Sequence, residues 1–324
     1  MKKVRIGFIG AGGMANKVHY PSLAEMDDVE IAGICDLNTK RLNETADKYG
    51  VEMRFTNYLE MIEKINLDAV YIIMPPHLLH DLVIECLKKK LNVFIEKPPG
   101  ISLVQIEAMA RLAEKNGCKT MVAFNRRYIP LLRKVKEIVE KKGKIIQAVA
   151  TFYKNIKVGL SYHTKPIDIL REDAIHCIDT LRWMGGEVKK VTSLVRKYHA
   201  EVYNSFHSLI EFENGATGIL HANWAVGKRV HTFEMHAKGI SSFINAPTEP
   251  SENKAIIYAD DKRDGKIISG TEVAGSDDFY KFYGYYQENR HFIDCIKEDR
   301  EPETSFSDAV KTMELIEKIY QNSM

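Results

Sequence analysis

Two short stretches of the chain carry residue types that can bind phosphates or move protons. Near the N-terminus, GFIGAGGMA gives the spacing Gly10-x-Gly12-x-x-Ala15 between an apolar run and a helix-period segment. Gly10 permits a tight turn, Gly12 lets a pyrophosphate approach the backbone, and the small Ala15 lets helix and strand pack closely. The backbone N–H groups of such a loop, here including those of Gly13 and Met14, can hold phosphates at a helix N-terminus. Taken alone, the spacing is also common at strand-to-helix turns for steric reasons.

A carboxylate follows the second apolar run. Asp36 ends VEIAGICD, roughly 20 residues beyond Gly12, where the acid of a dinucleotide-binding motif stands. A carboxylate here can accept both ribose hydroxyls of NAD and repels the 2′-phosphate of NADP, although Asp36 could also be a loop acid or a helix cap. Lys40 and Arg41 could still accommodate a 2′-phosphate. The sequence therefore predicts NAD as the cofactor, with NADP as the alternative.

The segment VFIEKPPG, residues 93–100, ends an apolar run abruptly in an acid, a base and two prolines. A strand that ends this way brings charged side chains to the rim of a sheet, where open α/β proteins usually bind their ligands. Lys97 could therefore transfer protons, or it could be a solvated lysine at the end of a strand. The chemistry of the residues alone leaves both interpretations open.

Alternating apolar runs and helix-period segments surround these residues through the first 124 positions. Strand, helix, strand repetition predicts parallel strands in a doubly wound sheet. The runs that predict strands are VRIGFIG, VEIAGIC, DAVYIIM, NVFIEK and KTMVAF. The predicted helices cover residues 14–26, 39–49, 79–90 and 102–116. Residues 1–124 are therefore predicted to form a dinucleotide-binding Rossmann domain.

From residue 125 onwards the pattern changes to long period-two runs, such as SFHSLIEFENGATGILHANW, punctuated by ENG and AKG. Such runs predict antiparallel strands joined by hairpins. An amphipathic helix, IDILREDAIHCIDTLRWMGG, interrupts them, and two more helical segments end the chain. The predicted fold is therefore α/β: a Rossmann domain followed, over residues 125–324, by an α+β domain with a large, mostly antiparallel sheet.

The bulk composition argues against several classes of protein. Forty-six Lys and Arg residues against 44 Asp and Glu residues leave a net charge of +2, far from the basic excess of a nucleic-acid binder. The five cysteines are scattered without a Cys-x-x-Cys pair, which argues against a disulfide framework or a zinc ribbon and predicts a reduced, cytoplasmic protein. No apolar run approaches the ~20 residues of a membrane span. Neither a nucleic-acid partner, a membrane nor a metal is expected.

The glycine loop, MPPHLLH and EKPPG together give the chain a resemblance to the Gfo/Idh/MocA family of nicotinamide-dependent sugar and cyclitol oxidoreductases. The resemblance covers nearly the whole length, and it implies a Rossmann domain followed by a domain with a large, mostly antiparallel sheet. The family's Thr-Pro-Asn-x-x-His element corresponds to Pro75 and Pro76, with His77 at the Asn position, and to His80. The resemblance implies that Pro75, His77 and His80 contact the cofactor.

The family's Glu-Lys-Pro signature falls without gaps on Glu96, Lys97 and Pro98. Members of the family use this lysine to handle the proton of the substrate hydroxyl. The resemblance therefore implies that Lys97 is the general acid/base and contacts both cofactor and substrate. It also implies cofactor contacts from Glu96 and from Asn125, which follows the sixth strand. The Lys97–Pro98 bond is predicted to be cis, as X-Pro bonds at constrained turns sometimes are.

A second family element, an acid four residues before a histidine, falls on the interrupting helix. The histidine is His176, which the resemblance implies to be a proton partner or a substrate ligand. Glu172 stands four residues before it, and Asp173 stands one place later than the family's acid. At spacing four, Glu172 and His176 share one helix face, as a proton relay needs, whereas Asp173 points about a hundred degrees away in a regular helix. The helix could instead begin differently and turn Asp173 inward, so both acids remain candidates for the catalytic site.

Further polar residues could bind the substrate. FNRRYIP puts Arg126 and Arg127 at the strand exit where family members touch the nicotinamide or the substrate. Tyr153 and His163 could line a polyol pocket. The basic side chains suggest an acidic or nucleotide-linked substrate, although each of them could be paired internally.

Together these features predict an NAD(P)-dependent dehydrogenase or reductase that transfers a hydride between the nicotinamide and a CH–OH carbon of a sugar, cyclitol or related polyol. Two alternatives remain: a dinucleotide-binding sensor without turnover, and an NAD-assisted glycosidase. A large open antiparallel sheet has one face to cover. Relatives pair such faces, so a homo-oligomer, either a dimer or a tetramer, is expected.

Overall fold

The computed structural model describes residues 3–155 and 167–324 of the chain. It divides the chain into two compact units. The first unit comprises Met1–Ala123 and Tyr285–Val310, and the second comprises Phe124–Gly284 and Lys311–Met324. Within the described residues, no helix combines the length and the apolar character that crossing a bilayer requires.

Six parallel strands form the sheet of the first unit, in the order β3-β2-β1-β4-β5-β6. The strands are β1 (Val4–Ile9), β2 (Val29–Cys35), β3 (Arg54–Phe55), β4 (Ala69–Ile72), β5 (Asn92–Ile95) and β6 (Thr120–Val122). This is the strand order of the dinucleotide-binding doubly wound fold, in which the order reverses between β1 and β4. The predicted Rossmann sheet is confirmed.

Helices connect these strands. They are α1 (Tyr20–Ala24), which continues a π-helical segment Ala15–His19, α2 (Thr39–Tyr49), α3 (Tyr58–Lys64), α4 (Pro76–Lys88) and α5 (Leu103–Asn116). Side chains cap three of them: Asn38 accepts from the Arg41 N–H, Asn57 from the Leu59 N–H and Ser102 from the Gln105 N–H. The fourth helix begins at Pro76, earlier than the predicted residue 79, because proline is favoured at the first helical position.

Eight strands form the sheet of the second unit, in the order β14-β13-β12-β11-β7-β10-β9-β8. The strands are β7 (Ile145–Asn155), β8 (Val188–Arg196), β9 (Ser205–Phe212), β10 (Thr217–Asn223), β11 (Ala225–Ala237), β12 (Ile240–Asn245), β13 (Lys254–Ala259) and β14 (Lys266–Ser269). Neighbouring strands are antiparallel except β7 and β10, which run parallel. The predicted large, mostly antiparallel sheet is confirmed.

The helices of the second unit flank this sheet along the chain. They are α6 (Pro130–Lys142), α7 (Ile175–Gly185), α8 (Gly270–Ala274) and α9 (Phe279–Phe282), with 3-10 turns at Asn125–Tyr128 and Pro250–Glu252. The predicted interrupting helix does not start as a regular α-helix, because a π-helical segment, Leu170–Ala174, precedes α7. At its other end, a Cβ on Gly185 would lie 2.0 Å from the Phe212 ring, so glycine lets the helix end pack against the sheet.

Two helices end the chain, α10 (Tyr285–Glu298) and α11 (Phe306–Gln321). The sequence predicted that residues 125–324 form one continuous domain, but α10 and the start of α11 belong to the first unit. Hydrogen bonds from residues 285–310 to the rest of the first unit explain the difference. Arg290 binds the Asp28 carboxylate through two bonds of 2.7 and 3.1 Å, and Thr304 Oγ1 donates to the Val122 carbonyl at 2.8 Å.

Candidate active site

The carboxyl ends of five strands of the first unit align in one row. The strand pairing joins Cys35 to Ile9, Ile9 to Ile72, Ile72 to Ile95 and Ile95 to Val122. The chain leaves this row into the glycine loop after β1, into Asp36 after β2, and into Lys97 after β5. Open α/β sheets bind their ligands outside this edge, at the point where the strand order reverses. Predicted cofactor and catalytic residues are therefore brought to one edge of one sheet.

The glycine loop has the geometry that phosphate binding needs. Gly10 has φ +110°, and a Cβ there would lie 2.4 Å from the Ile73 carbonyl oxygen, so only glycine fits the turn. Its N–H donates to the Cys35 carbonyl at 2.8 Å. At Gly12 and Gly13 an added Cβ would meet no atom of the described residues within 4 Å. The loop thus presents bare backbone to open space, which fits the pyrophosphate of a dinucleotide.

Asp36 is held at the rim of this loop by four hydrogen bonds. One carboxylate oxygen accepts from the Ala11 N–H at 2.8 Å and from Arg41 Nε at 3.3 Å. The other accepts from the Asn38 N–H at 2.8 Å and from Arg41 Nη2 at 2.9 Å. Burial raises the pKa of Asp36, but the bonds from Arg41, Ala11 and Asn38 outweigh burial and lower that pKa below its ordinary value. The group is therefore a carboxylate at neutral pH.

The same four bonds limit access to Asp36. A carboxylate offers about four acceptor positions, and all four are taken here. The bonds from Ala11 and Asn38 come from the backbone, whereas the Arg41 side chain is 51% exposed. A ribose diol can bind this carboxylate only when Arg41 moves away.

Lys97 stands in a tight turn at the end of β5. Its backbone N–H donates to Glu96 Oε2 at 3.1 Å, and the Lys97–Pro98 bond is cis, as predicted. Gly100 closes the turn with φ +113° and donates its N–H to the Pro98 carbonyl at 2.8 Å. A Cβ on Gly100 would lie 2.9 Å from Gln105 Oε1, so the turn also needs glycine for space. The half-buried lysine thus extends from a constrained piece of backbone.

Glu96 points into a buried polar chain that sequence reasoning missed. His19 is fully buried, and its Nε2 lies 3.0 Å from Glu96 Oε1, while its Nδ1 lies 3.2 Å from Asn289 Nδ2. Asn289 Nδ2 also donates to the Tyr285 carbonyl at 2.7 Å. Both oxygens of Glu96 therefore have hydrogen-bond partners within the first unit, and its cofactor contact stays a prediction. No local pattern could reveal this, because Asn289 is 270 residues from His19 in the chain.

The proline-rich element after β4 opens α4. Pro75 is the residue before the helix and Pro76 is its first residue. His77 is exposed, and His80 Nδ1 lies 2.9 Å from the carboxylate of Asp81. These residues follow the same strand-end row, so their predicted cofactor contacts are consistent with their position in the first unit.

In the second unit, the π-helical segment Leu170–Ala174 determines where the candidate acids point. Asp173 accepts a bond from Trp224 Nε1 at 3.2 Å and forms an ion pair with Lys154. A π turn contains more residues than an α-helical turn, so it changes the direction in which each side chain points. This explains why the Asp173 side chain points toward the sheet. Glu172 lies half-exposed on the same segment, and His176 is buried in the first turn of α7.

The two arginines after β6 are both buried. Arg127 forms two bonds of 2.7 and 2.5 Å to the Asp179 carboxylate, which makes it a structural ion pair within the second unit. Arg126 donates to Asn125 Oδ1 at 2.5 Å and lies over the Tyr283 ring, 4.6 Å from its centroid. The Asn125 amide in turn donates to the Tyr283 carbonyl at 2.8 Å. Asn125 therefore contributes to the interior of its own unit.

The remaining predicted substrate ligands differ in position. Tyr153 lies between Phe152 and Lys154 on β7, and strand alternation puts its side chain on the opposite face of the sheet from theirs. Sequence reasoning missed Phe152 and Lys154. The Lys154 ammonium pairs with Asp173 and lies over the Phe152 ring. His163 lies outside the described residues.

All five cysteines are buried and free. Burial and the neighbouring Asp36 carboxylate raise the pKa of Cys35 to about 11, so this thiol next to the glycine loop is unreactive. Among residues 3–155 and 167–324, no group of three or more His, Cys, Asp or Glu side chains could hold a metal ion.

Comparisons with known proteins agree with this architecture. The family model described as "Oxidoreductase family, NAD-binding Rossmann fold" matches residues 4–124, and the "GFO/IDH/MocA C-terminal domain" matches residues 132–239. The chain is 27% identical over 321 residues to a myo-inositol 2-dehydrogenase of Thermotoga maritima, covering 94% of this chain and 92% of that protein. It is 23% identical over 327 residues to D-xylose 1-dehydrogenase (NADP(+)) 2 of Haloferax volcanii, covering 98% and 96%.

A solved structure of levoglucosan dehydrogenase, in complex with NADH and L-sorbose, has the same fold with a TM-score of 0.85. The two chains are 21% identical, and the match covers 100% of this chain and 97% of the other. The fold and the residues at the strand-end row are those of a Rossmann protein that binds a nicotinamide dinucleotide. The chain belongs to the Gfo/Idh/MocA family of NAD(P)-dependent oxidoreductases.

Proposed function

We propose that this oxidoreductase transfers a hydride between a nicotinamide cofactor and the CH–OH carbon of a sugar, cyclitol or related polyol. The observation that carries the proposal is the row of strand ends, which brings the glycine loop, Asp36 and Lys97 to one edge of one sheet. The names of the relatives, which are inositol, xylose and levoglucosan dehydrogenases, support a polyol hydroxyl as the reacting group.

The first unit would bind the cofactor through backbone and carboxylate groups. The N–H groups of the glycine loop, including those of Gly12, Gly13 and Met14, would bind the pyrophosphate, and Asp36 would accept the ribose hydroxyls after Arg41 moves aside. NAD, when bound, supplies the hydride acceptor of the reaction. NADP is the alternative, in which case the released Arg41 guanidinium would bind the 2′-phosphate.

Lys97 would act as the general base for alcohol oxidation and as the general acid for the reverse reaction. Its turn is fixed by the Glu96 carboxylate and by Gly100, so the lysine extends from backbone that cannot easily shift. Precise placement matters because proton transfer requires the amine to lie within hydrogen-bond reach of the substrate hydroxyl. In the second unit, His176 would serve as a proton partner or substrate ligand, and Glu172 or Asp173 as the associated acid.

The proposed activity is tested with a panel of sugars, cyclitols and linear polyols, each incubated with NAD or NADP and scored by the absorbance of the reduced nicotinamide. We expect reduction of the cofactor by at least one polyol, and faster reduction of NAD than of NADP. Tight NAD binding without reduction by any member of the panel would favour the sensor. Cofactor retained through purification, with glycoside cleavage but no net NADH, would favour the glycosidase.

The assembly is proposed from the outer face of the eight-stranded sheet. One row of paired residues crosses every strand on this face: Thr192, Leu209, Ile219, Val149, Glu234, Phe243, Ile256 and Ile267. Leu209 is 57% exposed, Phe243 42% and Ile267 65%. A second copy of the chain would cover this apolar surface, which makes the protein a homo-oligomer. The buried, unpaired cysteines support a reducing, cytoplasmic location.

Light scattering at micromolar concentration tests the assembly. We expect a mass at least twice that of the chain, and a shift to the monomer in the double variant Leu209→Glu, Phe243→Glu. Val104→Glu is the control, because Val104 is an exposed apolar residue on α5, a helix of the first unit. A monomeric parent protein would remove the proposal.

A further inference from the structure

A buried series of hydrogen bonds joins three elements of the first unit. It runs from the Glu96 carboxylate after β5, through His19 before α1, to Asn289 on α10. His19 and Asn289 are fully buried, and Glu96 is 8% exposed. We call these three residues the His19 chain. Its outer end reaches the proposed catalytic lysine, because Glu96 Oε2 accepts the Lys97 N–H at 3.1 Å.

The surroundings of His19 determine which ring nitrogen carries the proton. The Tyr285 carbonyl can only accept, so the Asn289 atom 2.7 Å from it is the amide nitrogen. The second N–H of this amide can donate to His19 Nδ1, which lies 3.2 Å away, whereas the amide oxygen lies 3.4 Å from Nδ1. His19 Nδ1 therefore accepts, and the proton on Nε2 is donated to Glu96 Oε1 at 3.0 Å.

Aromatic rings surround the imidazole of His19. The Phe94 ring lies 5.2 Å away between centroids, with the two planes at 71°, and the Tyr285 ring lies 6.2 Å away at 90°. Such edge-to-face contacts are favourable and fix the orientation of the ring. In this water-excluded setting a hydrogen bond is stronger than at the surface, and loss of the donor would leave a buried Glu96 oxygen unpaired.

The turn that carries Lys97 depends on this support. The last residue of β5 is Ile95, so Lys97 lies beyond the strand, and its N–H donates to the side chain of the preceding residue instead of to another strand. A side-chain acceptor can fix the backbone only if the side chain is itself fixed. His19 supplies that constraint, and it belongs to the segment Ala15–His19 that follows the glycine loop. The chain thus connects the lysine turn to the helical segment after the glycine loop.

We propose that His19 and Asn289 are positioning residues of this enzyme, which orient the Glu96 carboxylate and, through it, the backbone from which Lys97 extends. The inference rests on the proposed function, because it names the residues that support the base of that reaction. Proton transfer requires the amine to lie within hydrogen-bond reach of the substrate hydroxyl, so a small displacement of the turn lowers the rate. The bare backbone at Gly12 is unaffected by such a displacement.

Two substitutions of His19 separate its hydrogen bond from its volume. His19→Phe keeps an aromatic ring among the neighbouring rings but removes the donor to Glu96. His19→Gln keeps an N–H donor on a side chain of similar reach, so it is the conservative variant. Ser22→Ala is the matched control, because Ser22 is buried on α1 and its hydroxyl donates to the Val18 carbonyl at 2.5 Å.

Kinetics with NAD and the best polyol of the panel give the first readout. His19→Phe should lower kcat about ten- to a hundredfold, the range of a hydrogen bond to a charged group, while KM and the NAD affinity stay near those of the parent. His19→Gln should recover most of kcat, and Ser22→Ala should keep the parental kcat even if its melting temperature falls. In the double variant with Glu96→Gln, the loss should be smaller than the product of the two single losses, because the two residues act as a unit.

Hydrogen exchange at the Lys97 amide gives a second readout that does not depend on turnover. The amide should exchange faster in His19→Phe than in the parent, whereas the amides of α2 should keep their parental rates. His19→Gln and Ser22→Ala should leave the exchange at Lys97 near that of the parent. Faster exchange confined to the turn is what a positioning role predicts, and general destabilisation would affect both regions.

Three results would overturn the inference. They are a parental kcat in His19→Phe, an equal loss of kcat in His19→Phe and Ser22→Ala, and an unchanged exchange rate at Lys97 in His19→Phe. The proposed function fails separately, if the parent reduces neither NAD nor NADP with any polyol. In that case the exchange rate at Lys97 alone decides whether His19 holds the turn.

Discussion

The strand-end row of the first unit and the group of Phe152, Lys154, Arg229 and His231 in the second unit place polar groups by different physical means. In the first unit, the bare backbone at Gly12 and Gly13 and the Asp36 carboxylate lie where parallel strands end at one edge of the sheet. In the second unit, side chains on two long strands carry the charge, and a neutral buried histidine lies among them. The arrangement in the first unit thus follows from strand topology, whereas the arrangement in the second unit depends on particular side chains and on the register of β11 against β7.

The largest effect is expected from replacement of Lys97, which should lower turnover without changing cofactor binding. Lys97→Met should lower the turnover of the best polyol by about 10²- to 10⁴-fold, because general acid/base help is lost. NAD affinity measured by calorimetry should stay near that of the parent, since the glycine loop and Asp36 are unchanged. Lys89→Met, at an exposed lysine just after α4, is the control. A Lys97→Met protein with parental turnover would refute the role of this lysine.

A smaller effect is expected from the carboxylate of the cofactor site. Asp36→Ala removes the group that accepts the ribose hydroxyls, so NAD binding should weaken by about ten- to a hundredfold, the range of a hydrogen bond to a charged group. The preference for NAD over NADP should shrink in the same variant. Tighter binding of NADP than of NAD by the parent would contradict this assignment and favour Arg41 as a ligand of the 2′-phosphate.

Replacement of Arg41 tests the same cofactor site through an expected gain in NAD affinity. Because Arg41 occupies two acceptor positions of Asp36, Arg41→Ala should tighten NAD binding a few fold and weaken NADP binding. Lys40→Ala is the neighbouring control for the NAD affinity, since Lys40 makes no bond to Asp36 among those described. Weaker NAD binding in Arg41→Ala would show that the ion pair with Asp36 supports the site instead of competing with the ribose.

The smallest effect concerns stability in acid and belongs to the second unit. Burial and three nearby cationic side chains lower the pKa of His231 in the folded protein, so below the ordinary value of about 6.5 the unfolded chain takes up a proton that the folded chain does not. Stability should therefore fall as the pH drops through that value and towards the folded pKa. His231→Phe, which keeps the stack on Phe152, should lose less melting temperature between about pH 7.5 and about pH 5.5 than the parent.

The exposed His199 provides the control for that measurement. Its φ of +53° is tolerated by asparagine, so His199→Asn should keep the acid sensitivity of the parent. Equal acid sensitivity in His231→Phe and the parent would show that His231 does not titrate as its surroundings require.

The contrast between the two regions also explains what the sequence could predict. Gly10, Asp36 and Lys97 each follow directly after an apolar run that predicts a strand. The carboxyl ends of parallel strands lie at the same edge of a sheet, so the common location of these residues was predictable. The role of Glu96 was not, because its partners His19 and Asn289 come from distant segments. Asp173 was uncertain for another reason: a π-helical turn leaves no clear sign in a sequence, yet it decides which way an acid faces.

The second unit shows the same limit for strands. Tyr153 and Lys154 are neighbours on β7, so their side chains point to opposite faces of the sheet. Alternation predicts that adjacent side chains point to opposite faces of a strand, but the sequence alone does not show which of them lies beside Asp173. The proximity of Arg229 and His231 to Phe152 becomes evident only from the register of β11 against β7.

Deuterium tracing tests the central claim, hydride transfer to a nicotinamide at the strand-end row, most directly. The best polyol from the panel is labelled with deuterium at the carbon that bears the reacting hydroxyl and is incubated with the protein and NAD in ordinary water. The account predicts that mass spectrometry finds one deuterium in each molecule of reduced cofactor, because the hydride passes directly from carbon to nicotinamide. Reduced cofactor without deuterium, or none formed from any labelled polyol, would contradict it.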